Sequence, residues 1–454
     1  MRSLLLLSML APLAACNKTD RSSERSGNTP KQTTTLFFTC QTHGRLTHCG
    51  CFRGQFGGLA RLGTALQQDV LRDAIGVDVG DAIEGPEDFH ELKYRRVVKA
   101  YAKMGYAAMN VGHREAMLSA KRLREIAAGS EVPLISANLL DWNTGKPLLD
   151  GWKIVQRGRL KIAFVGVLDS QGLEDSLGEG LQVEPIESCL SRILPELKRS
   201  ADLLVLLAYT DEATLSALAS QFYEFSVILG GRVSQPAQEL VRINRSLILY
   251  TGNEGKSFGY LQVDTAPHRA PEPGKYEVQL LNNRFPEDSS ILDFQADYRK
   301  TVRETKLSVD DPAHASANAV PGTHASAQFV GSESCLKCHA SAAAVWSNSR
   351  HAHAFDSLVM VKAESDPACI GCHTIGFETS GGYRRQYGAA KLTQVGCESC
   401  HGPGSVHVAQ RSSGGTAAFH FRPLAGGDCM KCHQGEFSPP FNWDQLWPEV
   451  KHGL

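Results

Sequence analysis

The chain has 454 residues and a formal net charge of −1, from 47 Lys and Arg against 48 Asp and Glu. That balance gives no bulk drive toward nucleic acid or an anionic membrane surface. With 42% apolar and 21% charged residues, the composition is that of an ordinary globular chain, long enough for two or three domains.

In chain order, residues 1–16 read as an export leader. Met1-Arg2 is a short basic start, Leu4 to Leu13 is an apolar run too short to span a bilayer, and Ala14-Ala15 precede Cys16. Leu13-Ala14-Ala15-Cys16 resembles the lipobox of bacterial lipoproteins. The resemblance implies cleavage before Cys16, lipidation of that cysteine, and a periplasmic protein anchored to the membrane by its N-terminal lipid. The alternative is an ordinary cleaved signal; on either reading the chain leaves the cytoplasm. Residues 17–34 are polar and cannot bury a core, which predicts a disordered tether.

From Leu36 to about Asn282, short β-branched or apolar runs alternate with amphipathic stretches. Strands are predicted at Thr35–Thr39, Ile75–Val79, Ala107–Val111, Leu134–Ala137, Ile162–Val167, Leu203–Leu207 and Ser226–Leu229, with more near Leu247–Tyr250, Tyr260–Val263 and Tyr276–Leu280. Helices are predicted at Gly57–Arg72, Phe89–Met104, Ala116–Ala128, Ile186–Arg199 and Glu212–Phe222. A β-rich tail after β/α units predicts an α/β fold, a two-sheet sandwich with outer helices.

Thr39-Cys40-Gln41-Thr42-His43-Gly44, then Gly80-Asp81, then Asn110-Val111-Gly112, Ser136-Ala137-Asn138-Leu139 and Leu229-Gly230-Gly231, in that order, resemble the calcineurin-like metallophosphoesterases in their 5′-nucleotidase branch. That family binds two metals at the carboxyl ends of its strands. Here Gln41 stands where its first Asp belongs, Gly112-His113-Arg114-Glu115 replaces its Gly-Asn-His-Glu, and Gly231-Arg232-Val233-Ser234 replaces its closing Gly-His-x-His. His43 and Asp81 remain as ligands, with His113 as a substitute. Two arginines, Arg114 and Arg232, enter the pocket; a guanidinium has no lone pair to donate and repels a metal. The expectation over 35–283 is therefore a degenerate phosphoesterase-like domain in which Asp81 pairs with Arg114 or Arg232. The alternative is a retained single-metal site.

The chain has 13 cysteines. Cys40, Cys49 and Cys51, with His43 and His48 near them, suggest a disulfide in an oxidising compartment or a soft metal site. Cys189 reads as a buried residue of an amphipathic helix. Residues 284–328 read as a helix, Asp288–Lys306, followed by an Ala-, Ser-, His- and Pro-rich linker containing His314 and His324.

Residues 329–454 carry four C-x-x-C-H motifs: Cys335, Cys338 and His339; Cys369, Cys372 and His373; Cys397, Cys400 and His401; and Cys429, Cys432 and His433. This is the c-type haem attachment pattern, two thiols for the porphyrin vinyl groups and an imidazole placed under the iron. Zinc held by paired C-x-x-C units is the rival reading, but it leaves the histidines unexplained. With 16 histidines in 454 residues, four chance placements have odds of roughly one in a million. Four haem c groups on so short a segment predict short helices, long loops and a core made largely of porphyrin.

Phe329-Val330-Gly331-Ser332-Glu333-Ser334-Cys335, Trp346-Ser347-Asn348-Ser349-Arg350-His351-Ala352 and the run from Gly396 through Gly402-Pro403-Gly404-Ser405-Val406-His407 resemble the tetrahaem cytochromes c of ammonia oxidation and their relatives. The resemblance implies His351, His407 and His452 as distal iron ligands, with His353 competing with His351. It also implies one five-coordinate haem, which His420, His353 or Met360 would otherwise close. The expected function is electron transfer at low potential with redox partner proteins, other cytochromes or quinol-linked complexes, and no nucleic acid. Two alternatives remain open: a redox enzyme acting on a small nitrogen or sulfur compound at an open haem, and an active phosphoesterase coupled to haem redox state.

Overall fold

The computed structural model describes residues 32–48, 56–233, 235–237, 239–252, 254–265, 272–311, 327–386, 388–415, 424–434 and 440–452. Cys16 and the leader, Cys49, Cys51, Ser234, His314, His324 and His420 lie outside them.

The strands in chain order are β1 (Gln32–Thr39), β2 (Ile75–Asp78), β3 (Tyr106–Asn110), β4 (Leu134–Ile135), β5 (Leu139–Asp141), β6 (Trp152–Arg157), β7 (Leu160–Leu168), β8 (Leu181–Val183), β9 (Leu203–Tyr209), β10 (Phe225–Gly230), β11 (Val241–Ile243), β12 (Ser246–Tyr250), β13 (Ser257–Thr265) and β14 (Glu272–Leu280). The accompanying helices are α1 (Leu59–Ala65), α2 (Asp88–Lys103), α3 (His113–Ala116), α4 (Ala120–Ala128), α5 (Ile186–Ser200), α6 (Glu212–Gln221) and α7 (Ser289–Glu304). One six-stranded sheet runs β14-β13-β1-β2-β3-β4, a second β11-β12-β10-β9-β7-β6, and β5 pairs with β8. In the first sheet β1 to β4 are parallel and β13 and β14 add antiparallel on one flank; in the second, β12, β10, β9 and β7 are parallel and the edge strands β11 and β6 are antiparallel.

Strand periodicity explains the layers. Leu203, Val205, Leu207 and Tyr209 of β9 join the core between the sheets, with Phe37, Phe164, Val227 and Leu229. Their neighbours Leu204, Leu206 and Ala208 turn to the other face, beneath Cys189, Leu190 and Ile193 of α5 and Leu215 and Leu218 of α6. Both faces of β9 are covered, so the strand reads as one continuous apolar run.

Several predicted elements change length. β1 begins at Gln32, inside the expected tether, because Gln32–Thr34 pair in register with Val263–Thr265 of β13. The single helix expected over Ala116–Ala128 is two, because the Ser119 hydroxyl accepts from Arg122 N and starts α4 afresh. The helix expected from Gly57 to Arg72 stops at Ala65, where the Gln68 amide turns back onto the Ala65 carbonyl. β5, β6, β8 and β11 have no counterpart in the predicted strands; β6 is half exposed and pairs with β7 through a tight turn at Gly158 (φ 57°).

The C-terminal region is built of short helices and loops. Its buried apolar cluster is small, comprising Phe329, Leu358, Ala363, Ile370, Ile375, Tyr383 and Leu392. A second cluster joins this region to the first domain: Phe89 of α2 and Tyr298 and Val302 of α7 pack with Leu307, Val309, Ala368 and Phe377. Among the described residues no helix is long and apolar enough to cross a membrane.

Candidate functional site

The first pocket lies beyond the carboxyl ends of the parallel strands. His43 follows β1, Asp81 follows β2, His113 opens α3 after β3, and Arg232 follows β10. Gln41, His43 and Asp81 all adopt positive φ (53°, 47° and 58°), so the backbone there is strained to aim these side chains inward. The two turns also touch: a Cβ on Gly112 would meet Asp81 Oδ1 at 2.4 Å, so this position needs glycine.

Asp81 is enclosed by its own chain. Its Oδ1 accepts from Arg114 N at 2.8 Å, its Oδ2 accepts from the Tyr209 hydroxyl, and Arg114 Nε lies 3.8 Å away. His43 Nε2 is 3.9 Å from the same carboxylate. Arg232 turns away to Asp169, at 2.8 Å, and contacts Asp211 at 3.5 Å. His113 Nε2 also meets Asp169, at 3.1 Å. Burial opposes ionisation of Asp169, but hydrogen bonds from His113 and Thr210 and the Arg232 charge outweigh it and hold its pKa below the ordinary value. Glu115, beneath the pocket, accepts from the backbone N–H groups of Asp81, Ile83 and Gly112, and its pKa is raised by burial and by Asp81. Among the described residues, no three His, Cys, Asp or Glu side chains converge as a metal would require. Tyr209 stands where the metallophosphoesterase family carries its Ser-His ligand piece, whereas Asp169 was not among the predicted pocket residues. The signal for Asp169 was its place directly after an apolar strand, where this fold puts its polar groups.

Asp78, at the end of β2, is fully buried; burial raises its pKa to about 7, although Thr39, Tyr101 and Gly80 N all donate to it. Between about pH 4 and 7 the folded chain keeps a proton here that the unfolded chain releases. Stability contributed by this group is therefore present in acid and lost as pH rises through 7, by at most about 4 kcal/mol. Asp78→Asn is expected to flatten the stability–pH curve over that window and to raise stability at pH 8, as read by denaturant titrations at pH 5 and 8.

The second site is carried by the four C-x-x-C-H motifs, on or beside the short helices Glu333–Leu336, Pro367–His373, Cys397–His401 and Gly426–Cys429. Imidazoles from distant parts of the segment face each other in three pairs. Ring centres lie 6.0 Å apart for His339 and His407, 6.0 Å for His351 and His433, and 5.9 Å for His401 and His452. An iron bonded on both sides at about 2 Å, with about 1.1 Å more from each nitrogen to its ring centre, requires about 6 Å. The residues therefore fit haem iron. The His452 Nδ1 donates to the Val450 carbonyl at 2.7 Å, which leaves Nε2 with the lone pair a metal needs. His373 is fixed in the same way by the Ala354 carbonyl, at 2.6 Å, but faces no second imidazole among the described residues.

The motif thiols are not equally enclosed. Cys335 is half-buried, whereas Cys338 is exposed, as is Cys400 of the third motif. The reason at Cys338 is local. The helix Glu333–Leu336 ends before it, and the small apolar cluster of this region does not include it. Cys369, by contrast, packs against that cluster.

His353 does not reach an opposing imidazole; it is 68% exposed and sits beside Asp356. Met360 is 79% exposed. Sulfur contacts bring the motifs together two by two, Cys335 with Cys397 and Cys372 with Cys432. Glu398, inside the third motif, ties this assembly to the start of the segment by accepting from the N–H groups of Val330, Gly331 and Gly404.

Comparison with known proteins agrees with both halves. The family described as "Cytochrome c554 and c-prime" matches residues 334–402. Cytochrome c-554 of Nitrosomonas europaea is 42% identical over 95 residues, covering 18% of this chain and 40% of that protein. The 2′,3′-cyclic-nucleotide 2′-phosphodiesterase/3′-nucleotidase of Salmonella typhimurium is 26% identical over 176 residues, 34% of this chain and 27% of that protein. The chain thus spans less than half the length of these relatives. The 5′-nucleotidase precursor of Thermus thermophilus superposes with a TM-score of 0.53 at 21% identity, covering 60% of this chain and 59% of that structure. The chain joins an α/β domain with the fold of the calcineurin-like phosphoesterases, similar in sequence to their nucleotidase branch, to a segment similar to cytochrome c554, a likeness that implies covalently bound haem c and electron transfer.

Proposed function

We propose that this protein is an exported tetrahaem c-type cytochrome, lipid-anchored through Cys16, that passes electrons between redox partners in the periplasm, and that its phosphoesterase-like domain is catalytically degenerate and serves docking or anion binding. The observation that carries the reading is the set of three imidazole pairs at iron-spanning distance, each including one motif histidine. When bound, haem supplies one-electron redox chemistry. The chain's part is to hold His339, His401 and His433 against His407, His452 and His351, a bis-imidazole environment that keeps potentials low. The sulfur contacts between motifs set the attachment edges side by side, which suits a relay. Other cytochromes or quinol-linked complexes are the partners this chemistry calls for.

Degeneracy is supported by charge. Arg114 and Arg232 stand within ion-pair distance of Asp81 and Asp169, so the carboxylates a dinuclear centre needs are already neutralised by fixed cations. A second reading, small-molecule redox chemistry at the second motif, is favoured by one feature: His373 lacks an opposing imidazole among the described residues.

The test is the full chain produced in a cytochrome-maturing host. Its intact mass is expected to include four haem groups, its reduced-minus-oxidised spectrum to show sharp c-type bands, and its hydrolysis of a nucleotide with added Mn²⁺ to stay at background. A colourless protein without added mass would remove the haem reading, and metal-dependent hydrolysis abolished by Asp81→Asn would remove the degenerate one.

A further inference from the structure

We infer that the phosphoesterase-like domain, with α7 packed on it, forms one wall of the second haem site and tunes its potential through Lys93 of α2 and Tyr298 of α7. The inference rests on the reading that the four motifs carry haem, and it gives the first domain a role that needs no pocket chemistry.

The geometry is specific to one motif. The helix Pro367–His373 carries Cys369, Cys372 and His373, and Asp366 caps its N-terminus by accepting from Ala368 N at 3.2 Å. The other end of that cap is α7, which packs on α2 of the first domain: the Tyr298 hydroxyl donates to Asp366 Oδ1 at 3.0 Å and is fully buried beside Phe89. Lys93 Nζ sits over the Tyr298 ring, 5.9 Å from its centre, with Glu84 3.1 Å on its other side. Burial opposes the Lys93 charge, but Glu84 and Asp366 outweigh it and hold its pKa above the ordinary value. Ala368 and Phe377, on either side of this motif, complete the contact with Phe89, Tyr298 and Val302.

A fixed cation beside a redox centre favours its reduced form, because reduction adds an electron, and low local dielectric strengthens the effect. Tyr298 acts in the same direction, by drawing charge from the Asp366 carboxylate with a hydrogen bond. Both are positioning residues. Tyr298 touches the cap of the helix that presents the cysteines and histidine, and Lys93 lies behind Tyr298, over its ring; the first, third and fourth motifs have no such support from α2 or α7 among the described residues.

The experiment uses the full chain from a cytochrome-maturing host, with haem content confirmed by intact mass before any titration. Spectroelectrochemistry then resolves the four components in the parent, Lys93→Met and Tyr298→Phe. The expected result is that one component falls in potential in both variants, further in Lys93→Met, while the other three hold. No shift, an upward shift, or an equal shift of all four overturns the inference. Tyr298→Phe removes one oxygen and keeps the packing, so it carries the test if Lys93→Met does not fold. A parent without haem would count against the proposed function, not against this wall.

Discussion

Asp310→Ala is expected to cost about 3–5 kcal/mol, the usual penalty for stranding one member of a buried ion pair. Arg385 and Asp310 are each only 2% exposed in their side chains, and they join the C-terminal region to the segment after α7. Arg385 Nε lies 3.1 Å from Asp310 Oδ1, and Nη2 contacts the second carboxylate oxygen. The same guanidinium donates to the carbonyls of Val302 and Thr305, the open C-terminal end of α7, where a cation is favoured. Asp310 in turn accepts from Leu307 N at 2.8 Å and from Gln386 Nε2 at 3.2 Å. Without the carboxylate, a buried guanidinium keeps its charge and loses its counter-ion. Denaturant titration checks the size, and limited proteolysis checks the location, since cleavage is expected to appear at this junction first. The double variant Asp310→Leu with Arg385→Met is expected to cost much less than the two single losses added together. A single-variant loss below about 1 kcal/mol would show that this pair is not what fastens the regions.

That junction was not legible in the sequence. Arg385 lies in a loop and Asp310 on the 3₁₀ turn Ser308–Asp310, with no periodicity to connect them, and such a buried ion pair leaves no pattern that a single chain reveals. The sandwich was legible, because β9 and β10 alternate apolar side chains between two covered faces. Edge strands such as β6 were not, since Trp152–Arg157 is half exposed and mixes Lys, Gln and Arg with its apolar residues. In the pocket, the loss of the first Asp to Gln41 and the arrival of Arg114 and Arg232 were readable position by position. The partner of Arg232 was not, because Asp169 comes from a strand end far away in sequence. The C-x-x-C-H spacing names the attachment residues by chemistry alone, but it does not say which thiols are enclosed: Cys335 and Cys338 share one motif and differ in exposure. Which second histidine faces which motif also depends on tertiary structure: His351 follows the first motif yet faces His433 of the fourth. His351 and His353 differ by two positions on one 3₁₀ turn, so only one of them can point inward.

His407→Ala is expected to convert one haem from low-spin to high-spin and to raise its potential by part of the roughly 0.8 V range that axial ligands span. His407 lies on the helix Ser405–Ser412, and its ring centre is 6.0 Å from that of His339, the histidine of the first motif. Removing the imidazole takes away a strong donor that favours the oxidised iron, so the reduced form gains. The same loss is expected to loosen the whole C-terminal region. The three imidazole pairs join His339 to His407, His351 to His433 and His401 to His452, so each pair closes a long loop that overlaps the others. Apolar burial offers little to replace such a tie. The buried cluster of this region ends at Leu392, and none of the described residues from 397 to 452 contributes an apolar side chain to it. Without the tie the loop regains its conformational freedom, and little hydrophobic burial resists it. Electron paramagnetic resonance of the oxidised protein reads the spin change, and amide hydrogen exchange reads the loosening. Exchange is expected to quicken around the first and third motifs, which Glu398 and the Cys335–Cys397 contact hold together, and to stay unchanged in the α/β sandwich. His353→Ala, which alters an exposed imidazole only two residues from His351, is expected to leave both signals as they are. An unaltered spin state in His407→Ala would mean that this imidazole is not an iron ligand, and the pairing of His339 with His407 would have to be abandoned.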